Sequence, residues 1–431
     1  MSERRRVLLL CYFYPPLAGG GVHRVLSFTR HLPDHGWDCT VVCAGQEDYW
    51  VTDESLTAQI PTGTEVLRVH GGSALATLLR IGRHPRGRRS GRTFGRLRTL
   101  SDWWLLPDSY AGWAKRARST AAARIARGGV DVVLTSSPPD SAHLAGRDLR
   151  RAGSVPWVAD FRDPWIGLHF RTPPTSWHRA RQSALECSVL GSADAVLTAS
   201  TTHRRDLGGA CGGRLDPSRL HVLPNGFEPG VDAPADATPA DPDHFTLAFT
   251  GTLSQMPDTE VFLEAVHEML KRNPEARRTL RARLAGPFES GYQDRAVALG
   301  LTGIVEFQGP RGHAESRGLQ RGADALLLWQ PRDTPTMVPG KLYEYLDAGR
   351  PILALADPAS EAAELARRGG AEILAPGDRD GLSVALERAW REWRTAGRAP
   401  GRRAEWLEDY RRDRLSARLA GILERVAGAR P

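Results

Sequence analysis

The apolar residues of this chain fall into short unbroken runs separated by stretches with helical spacing, and that alternation sets the expected fold. Residues 7–14 (Val-Leu-Leu-Leu-Cys-Tyr-Phe-Tyr) do not alternate apolar with polar, so they predict a strand covered on both faces. Three glycines follow (Gly19, Gly20, Gly21) as a loop, then a helical pattern over 22–35 and a second strand over 37–44. Further strands are expected at 130–135, 155–160, 193–199 and 220–223, with a helix over 181–190. Strand, glycine loop, helix, strand is the opening of a doubly wound sheet. Residues 229–243, rich in Pro, Ala and Asp and without apolar period, read as a linker. The pattern then restarts, with strands at 245–249, 280–285, 304–308 and 323–329 and a helix over 260–271. Helices are expected over 381–396 and 404–428, the last carrying Trp406, Tyr410, Leu415, Leu419 and Leu423 near one face.

Residues 338–356 concentrate the candidate chemistry. Val338-Pro339-Gly340 turns into a short helix from Lys341 to Ala348, Gly349 stops it, and Pro351 starts an apolar strand. Such a turn aims backbone N–H groups and one cation, Lys341, at whatever sits above the helix start, which is how a chain holds a phosphate. Glu344, one turn further in, suits a pair of vicinal hydroxyls, so the pattern points to a nucleoside diphosphate and its ribose. The chain has only three lysines (Lys115, Lys271, Lys341) among 58 basic residues. Keeping a compact ammonium here, where nearly every other cation is Arg, favours a specific use for it.

Length and composition narrow the class. At 431 residues the chain suits two domains, and 41% hydrophobic with 25% charged residues is ordinary for a soluble globular protein. The net charge of +8 fits an anionic partner. Cys11, Cys39, Cys43, Cys187 and Cys211 form no Cys-x-x-Cys pair and no Cys/His ligand set, so neither a disulfide framework nor a metal site is indicated, and a cytoplasmic setting fits. Arg4-Arg5-Arg6 before the first apolar run imitates a secretory signal, but Pro-Pro and three glycines replace a cleavage site, and a buried strand explains the run better. No apolar run reaches the ~20 residues of a membrane span. The basic run 83–98 reads as a surface loop, either solvated or in peripheral contact with an anionic membrane; with Phe94 alone able to stack on a base, nucleic acid is not the expected partner. The glycine loop is not Gly-x-Gly-x-x-Gly and no acidic residue closes the second strand, which makes a dinucleotide reading poor. His143 and Asp163 follow expected strand ends and are candidate catalytic groups at the mouth of a cleft.

Tyr12-Phe13-Tyr14-Pro15-Pro16 with Gly19–Gly21 and Arg24, the Ser136-Ser137-Pro138-Pro139 turn, Phe161-Arg162-Asp163-Pro164-Trp165, Pro224-Asn225-Gly226, Thr250-Gly251-Thr252 and the 340–351 stretch together resemble the family 4 glycosyltransferases of bacterial polysaccharide and natural-product pathways. The resemblance runs in order over nearly the whole chain. It implies an α/β GT-B fold, two doubly wound Rossmann-like domains facing a central cleft. The acceptor-side domain would span 1–228, the linker 229–243, the donor domain 244–405, and a helix over 406–431 would pack back on the first domain. It implies metal-independent transfer with retention, no cofactor, and a nucleoside-diphosphate sugar as co-substrate. The acceptor would be a sugar, a lipid-linked sugar or a natural product, met in the cytoplasm or at the inner face of the membrane. Glu344 matches the second glutamate of the family's Glu-x7-Glu pattern, which binds the donor ribose. Thr336 stands where the first would be, and Leu253-Ser254-Gln255-Met256-Pro257 lacks the Arg and Lys many members carry after Gly251. The donor set is then Gly19, Gly20, Gly21, Arg24, Gly251, Thr252, Arg332, Val338, Pro339, Gly340, Lys341, Leu342 and Glu344, with His143, Asp163 and Lys341 nearest the chemistry. A nucleotide-sugar epimerase or hydrolase, or a non-catalytic partner-binding subunit, is the alternative.

Overall fold

The computed structural model describes residues 4–17, 19–46, 52–72, 104–153, 155–167, 173–213, 215–230, 241–253, 256, 258–330, 334 and 336–428. Arg332, the 83–98 run and most of the 229–243 stretch lie outside the described residues. By contact the chain divides into two units, Met1–Asn225 with Arg412–Pro431, and Gly226–Arg411.

The first unit is a seven-stranded parallel sheet in the order β3-β2-β1-β4-β5-β6-β7. Its strands are β1 (Arg5–Cys11), β2 (Trp37–Ala44), β3 (Glu65–Val69), β4 (Val132–Ser137), β5 (Trp157–Phe161), β6 (Ala195–Thr198) and β7 (Leu220–Val222). Helix α1 (Gly20–His31) links β1 to β2, and α2 (Ala111–Ala126), α3 (Ser141–Arg151), α4 (Ser176–Ser192) and α5 (Thr201–Gly209) follow. Successive residues of β1 face opposite cores, which is why the run is apolar throughout. Leu8 and Leu10 pack with Trp113, Ala145 and Leu190 from α2, α3 and α4, whereas Val7 and Leu9 pack with Val25 and Phe28 of α1.

The second unit is a six-stranded parallel sheet ordered β10-β9-β8-β11-β12-β13. In chain order its elements are β8 (Phe245–Thr250), α6 (Asp258–Arg272), β9 (Leu280–Ala285), α7 (Ser290–Ala298), β10 (Val305–Gly309), α8 (His313–Gly322), β11 (Ala325–Trp329), α9 (Gly340–Ala348), β12 (Ile352–Leu355), α10 (Glu361–Arg368), β13 (Glu372–Leu374) and α11 (Arg379–Ala396). Both sheets place their first strand beside their fourth, so each has its chain reversal at β1/β4 or β8/β11.

Three expectations are corrected. The glycines at 20 and 21 are not loop: α1 starts at Gly20, with Gly19 (φ 138°) before it, and ends at His31, where Pro33 enters a 3-10 turn. The helix expected over 404–428 is two pieces. Glu405–Tyr410 is a 3-10 turn, Arg411 is extended (ψ 136°), and α12 (Arg412–Gly428) begins after it. Trp406 and Tyr410 therefore pack with Tyr343 in the second unit, while Leu415, Leu419 and Leu423 pack on the first sheet. The apolar spacing across the break is helical by coincidence of two different partners. Finally, Cys187 and Cys211 form a disulfide between α4 and the turn after α5, although their 24-residue separation matches no local motif. Among the described residues no helix is long and apolar enough to cross a membrane.

Candidate functional site

Open α/β sheets bind ligands beyond the strand carboxyl ends where the strand order reverses. In the second unit that place is set by β8 and β11. β8 runs into Gly251 (φ 129°) and β9 into Gly286 (φ 141°), angles that glycine alone adopts readily. A Cβ on Gly286 would strike the Gly251 carbonyl, and one on Gly251 would lie 2.8 Å from Lys341 Nζ. The two glycines let three chain segments meet more closely than side chains would permit.

Helix α9 brings its N-terminus to the same place. Pro339 is its N-cap, no side chain caps it, and no acidic residue stands in its first turn. The leading N–H groups of a helix lack intrahelical partners and carry partial positive charge. Lys341 adds a full charge. Its ammonium lies 3.9 Å from the centre of the Phe249 ring, and among the described residues it has no hydrogen-bond or ion-pair partner. Burial pushes its pKa down to about 7, with Glu344 pulling the other way. Val338 and Leu342 are buried in the core below, so they offer the site only backbone, while Thr252 is exposed.

Glu344 is held from helix α8. Its Oε1 lies 3.1 Å from His313 Nε2, and since a carboxylate only accepts, that ring nitrogen donates. Gln320 Nε2 donates to Glu344 Oε2 (3.1 Å) and to Thr250 Oγ1 (2.8 Å). Arg317 Nη1 donates to Gln320 Oε1 (2.7 Å) and to the Glu344 carbonyl (2.6 Å), and its other terminal nitrogen pairs with Asp347. Tyr345 accepts the Thr250 N–H at 2.8 Å, and burial raises its phenol pKa. His313, Arg317 and Gln320 were not singled out from sequence as partners of Glu344. Their spacing (i, i+4, i+7) places them on one helix face, and that polar stripe was the available signal.

The first unit treats its sequence candidates differently. Arg24 is corrected: it is buried, with Nε and Nη2 on the two oxygens of Asp160 (3.0 and 2.7 Å) and Nη1 on the Pro224 carbonyl (2.8 Å). All three of its nitrogens tie α1 to β5 and to the chain after β7. Burial works to raise the Asp160 pKa, but Arg24, with Ser136 and Arg162, holds it below the usual carboxylate value. Gly21 has a clear purpose, since a Cβ there would fall 2.5 Å from the Arg162 guanidinium, which donates to the Gly21 carbonyl (2.7 Å). Arg162 lies 3.8 Å from Asp163, whose pKa burial raises against the pull of Arg162. His143 is fully buried rather than at a mouth. Its Nδ1 meets Thr135 Oγ1 at 2.7 Å, its ring stacks on Phe161, and burial drops its pKa to about 3. The second-unit candidates Gly251, Pro339, Gly340, Lys341 and Glu344 are thus brought together, whereas Arg24 and His143 serve the interior of the first unit.

Two parallel sheets of this strand order, each flanked by helices, define the GT-B glycosyltransferase architecture. Solved structures share it: Anabaena HepE in complex with UDP-glucose superposes with a TM-score of 0.65 at 16% identity, covering 97% of this chain and 99% of that one. Sucrose-phosphate synthase from Thermosynechococcus elongatus gives 0.66 at 14%, covering 99% and 100%. Residues 18–230 match the model of Glycosyltransferase Family 4. Relatives named D-inositol 3-phosphate glycosyltransferase are 29% identical over 228 residues in Frankia alni (49% of this chain, 50% of that protein) and 29% over 166 residues in Saccharomonospora viridis (37% and 35%). The chain thus spans about a third to a half of the length of these curated relatives.

Proposed function

We propose that the protein is a glycosyltransferase that moves a sugar from a nucleoside-diphosphate sugar to an acceptor hydroxyl, on a sugar, lipid-linked sugar or natural product. The observation that carries this reading is the Lys341 ammonium at the N-terminus of α9, which among the described residues has no hydrogen-bond or ion-pair partner, with a braced carboxylate, Glu344, one turn further in. The diphosphate takes the helix N-terminus and Lys341, and the ribose hydroxyls take Glu344. As the glycosidic bond to the diphosphate breaks, negative charge grows on the departing oxygen, and the ammonium and backbone N–H groups are already aimed at it. Transfer with retention follows when the departing diphosphate oxygen takes the acceptor proton on the face it leaves, so that no side chain acts as base. If the reaction inverts instead, Asp163 is the base, because His143 is sealed in the core with no exposed surface.

Calorimetric binding of UDP, GDP and ADP to wild type, Lys341→Ala and Glu344→Ala tests the reading. One nucleotide binds wild type, and each variant weakens it about tenfold or more, ~1.4 kcal/mol per factor of ten. Failure of all three to bind wild type refutes the donor site. Sugar-nucleotide consumption without any acceptor would favour hydrolysis or epimerisation over transfer.

A further inference from the structure

Gln320 is fully buried between the carboxylate assigned to the ribose and the end of β8. Its amide orientation is determined by its neighbours. Arg317 only donates, so Oε1 must face it; the Glu344 carboxylate only accepts, so Nε2 must face that. A flipped amide would set oxygen against oxygen and N–H against N–H. One N–H goes to Glu344 Oε2, the other to Thr250 Oγ1, and the carbonyl to Arg317. The side chain is therefore a three-way brace. It ties the carboxylate to α8 and to the strand end beside Gly251.

We propose that Gln320 is the positioning residue that sets the site's preference for a ribose over a deoxyribose, by holding Glu344 in the rotamer that meets both vicinal hydroxyls. This rests on the ribose reading of Glu344. The side chain itself makes no contact with the nucleotide. Without the Gln320 brace, Oε2 loses the Gln320 N–H, and although His313 still meets Oε1 the plane of the carboxylate is fixed less tightly. A bidentate contact with two hydroxyls demands a fixed carboxylate plane, whereas the diphosphate contacts, made by Lys341 and the α9 N-terminus, do not depend on it. Loss of the brace should therefore act on the hydroxyls alone.

The test measures binding of UDP, GDP and ADP and of the 2′,3′-dideoxy form of whichever binds wild type most tightly. Wild type is expected to favour the ribonucleotide by about tenfold or more. In Gln320→Leu the preference should fall to within about threefold, while the dideoxy nucleotide binds as it does to wild type. Retention of that dideoxy affinity is the signature a merely structural residue would not show, because damage to the fold weakens both nucleotides together. If Gln320→Leu is not recovered folded, Gln320→Asn is read in the same way, since an amide one methylene shorter cannot reach both Glu344 and Thr250. Full preference in the substituted protein overturns the role of Gln320 and leaves the ribose reading standing. A wild type indifferent to the hydroxyls overturns the ribose reading of Glu344, and the inference with it.

Discussion

Lys341 should make nucleotide binding fall with rising pH, by an amount the structure sets. Burial over Phe249 moves its pKa from 10.5 to about 7, so the ionised form is disfavoured by about 5 kcal/mol relative to water. A diphosphate oxygen at ~4 Å returns roughly 4 kcal/mol at an effective dielectric of about 20, enough to restore the charged form. Between pH 7 and roughly 10 the complex then holds close to one proton more than the free protein, and affinity should drop by up to tenfold per pH unit. The nucleotide contributes little, since a phosphate's second ionisation lies near pH 6. Calorimetry at about pH 7.5 and pH 9, in buffers of differing ionisation enthalpy, should show about one proton taken up at the higher pH and binding weaker by tenfold or more. Lys341→Met should bind weakly at both pH values with no uptake. The sign of the stability effect is opposite for the free protein. A lysine whose folded pKa lies below its unfolded one destabilises the fold below pH 7 and ceases to do so as pH rises toward 10, so Lys341→Met should melt at or above the wild-type temperature near neutrality. Equal affinity at the two pH values, or proton uptake that survives in Lys341→Met, would refute the reasoning.

Asp160→Ala should destabilise the first unit by about 3–5 kcal/mol, because it leaves the Arg24 guanidinium buried without its carboxylate, and a paired Arg24→Met, Asp160→Leu change should recover much of that; urea midpoints of the three proteins decide it, and a single variant as stable as wild type would sink the idea. The same pair should lend stability above pH 4 that disappears as the pH falls below the unfolded Asp value of 3.8, since the folded pKa is the lower one. Gly286→Ala should cost roughly 1–3 kcal/mol or more and weaken nucleotide binding, because its Cβ meets the Gly251 carbonyl at a φ that disfavours any side chain. A wild-type urea midpoint for that variant would show that the loops after β8 and β9 can separate freely.

Features that short-range backbone chemistry controls were legible in the order of residues alone. Non-alternating apolar runs such as Val7–Leu10 mark strands buried on both faces, and the strand expected over 280–285 forms as Leu280–Ala285, where the half-buried Arg281 and Arg283 alternate with buried Leu280, Ala282 and Leu284. The Pro-Gly entry and Gly349 exit bound α9, so Lys341 and Glu344 necessarily sit one turn apart near its start. Tertiary structure decided what each of these groups meets. Arg24 and Asp160 stand 136 positions apart, and only the neighbouring placement of β1, β4 and β5 turns a candidate phosphate ligand into an interior ion pair. His143 has the residue type of a catalytic group, but burial on every side leaves it neutral and sealed. Gln320 and Glu344 are separated by 24 positions, and their bond exists because α8 and α9 cover the same face of the second sheet. The break at Arg411 arises because two different cores claim the two ends of one helical pattern. Periodicity and caps act over a few residues, within one turn or one strand. Charge pairing, desolvation and amide orientation act over a few ångströms between segments that the sheet order brings together, and that order is a property of the folded chain.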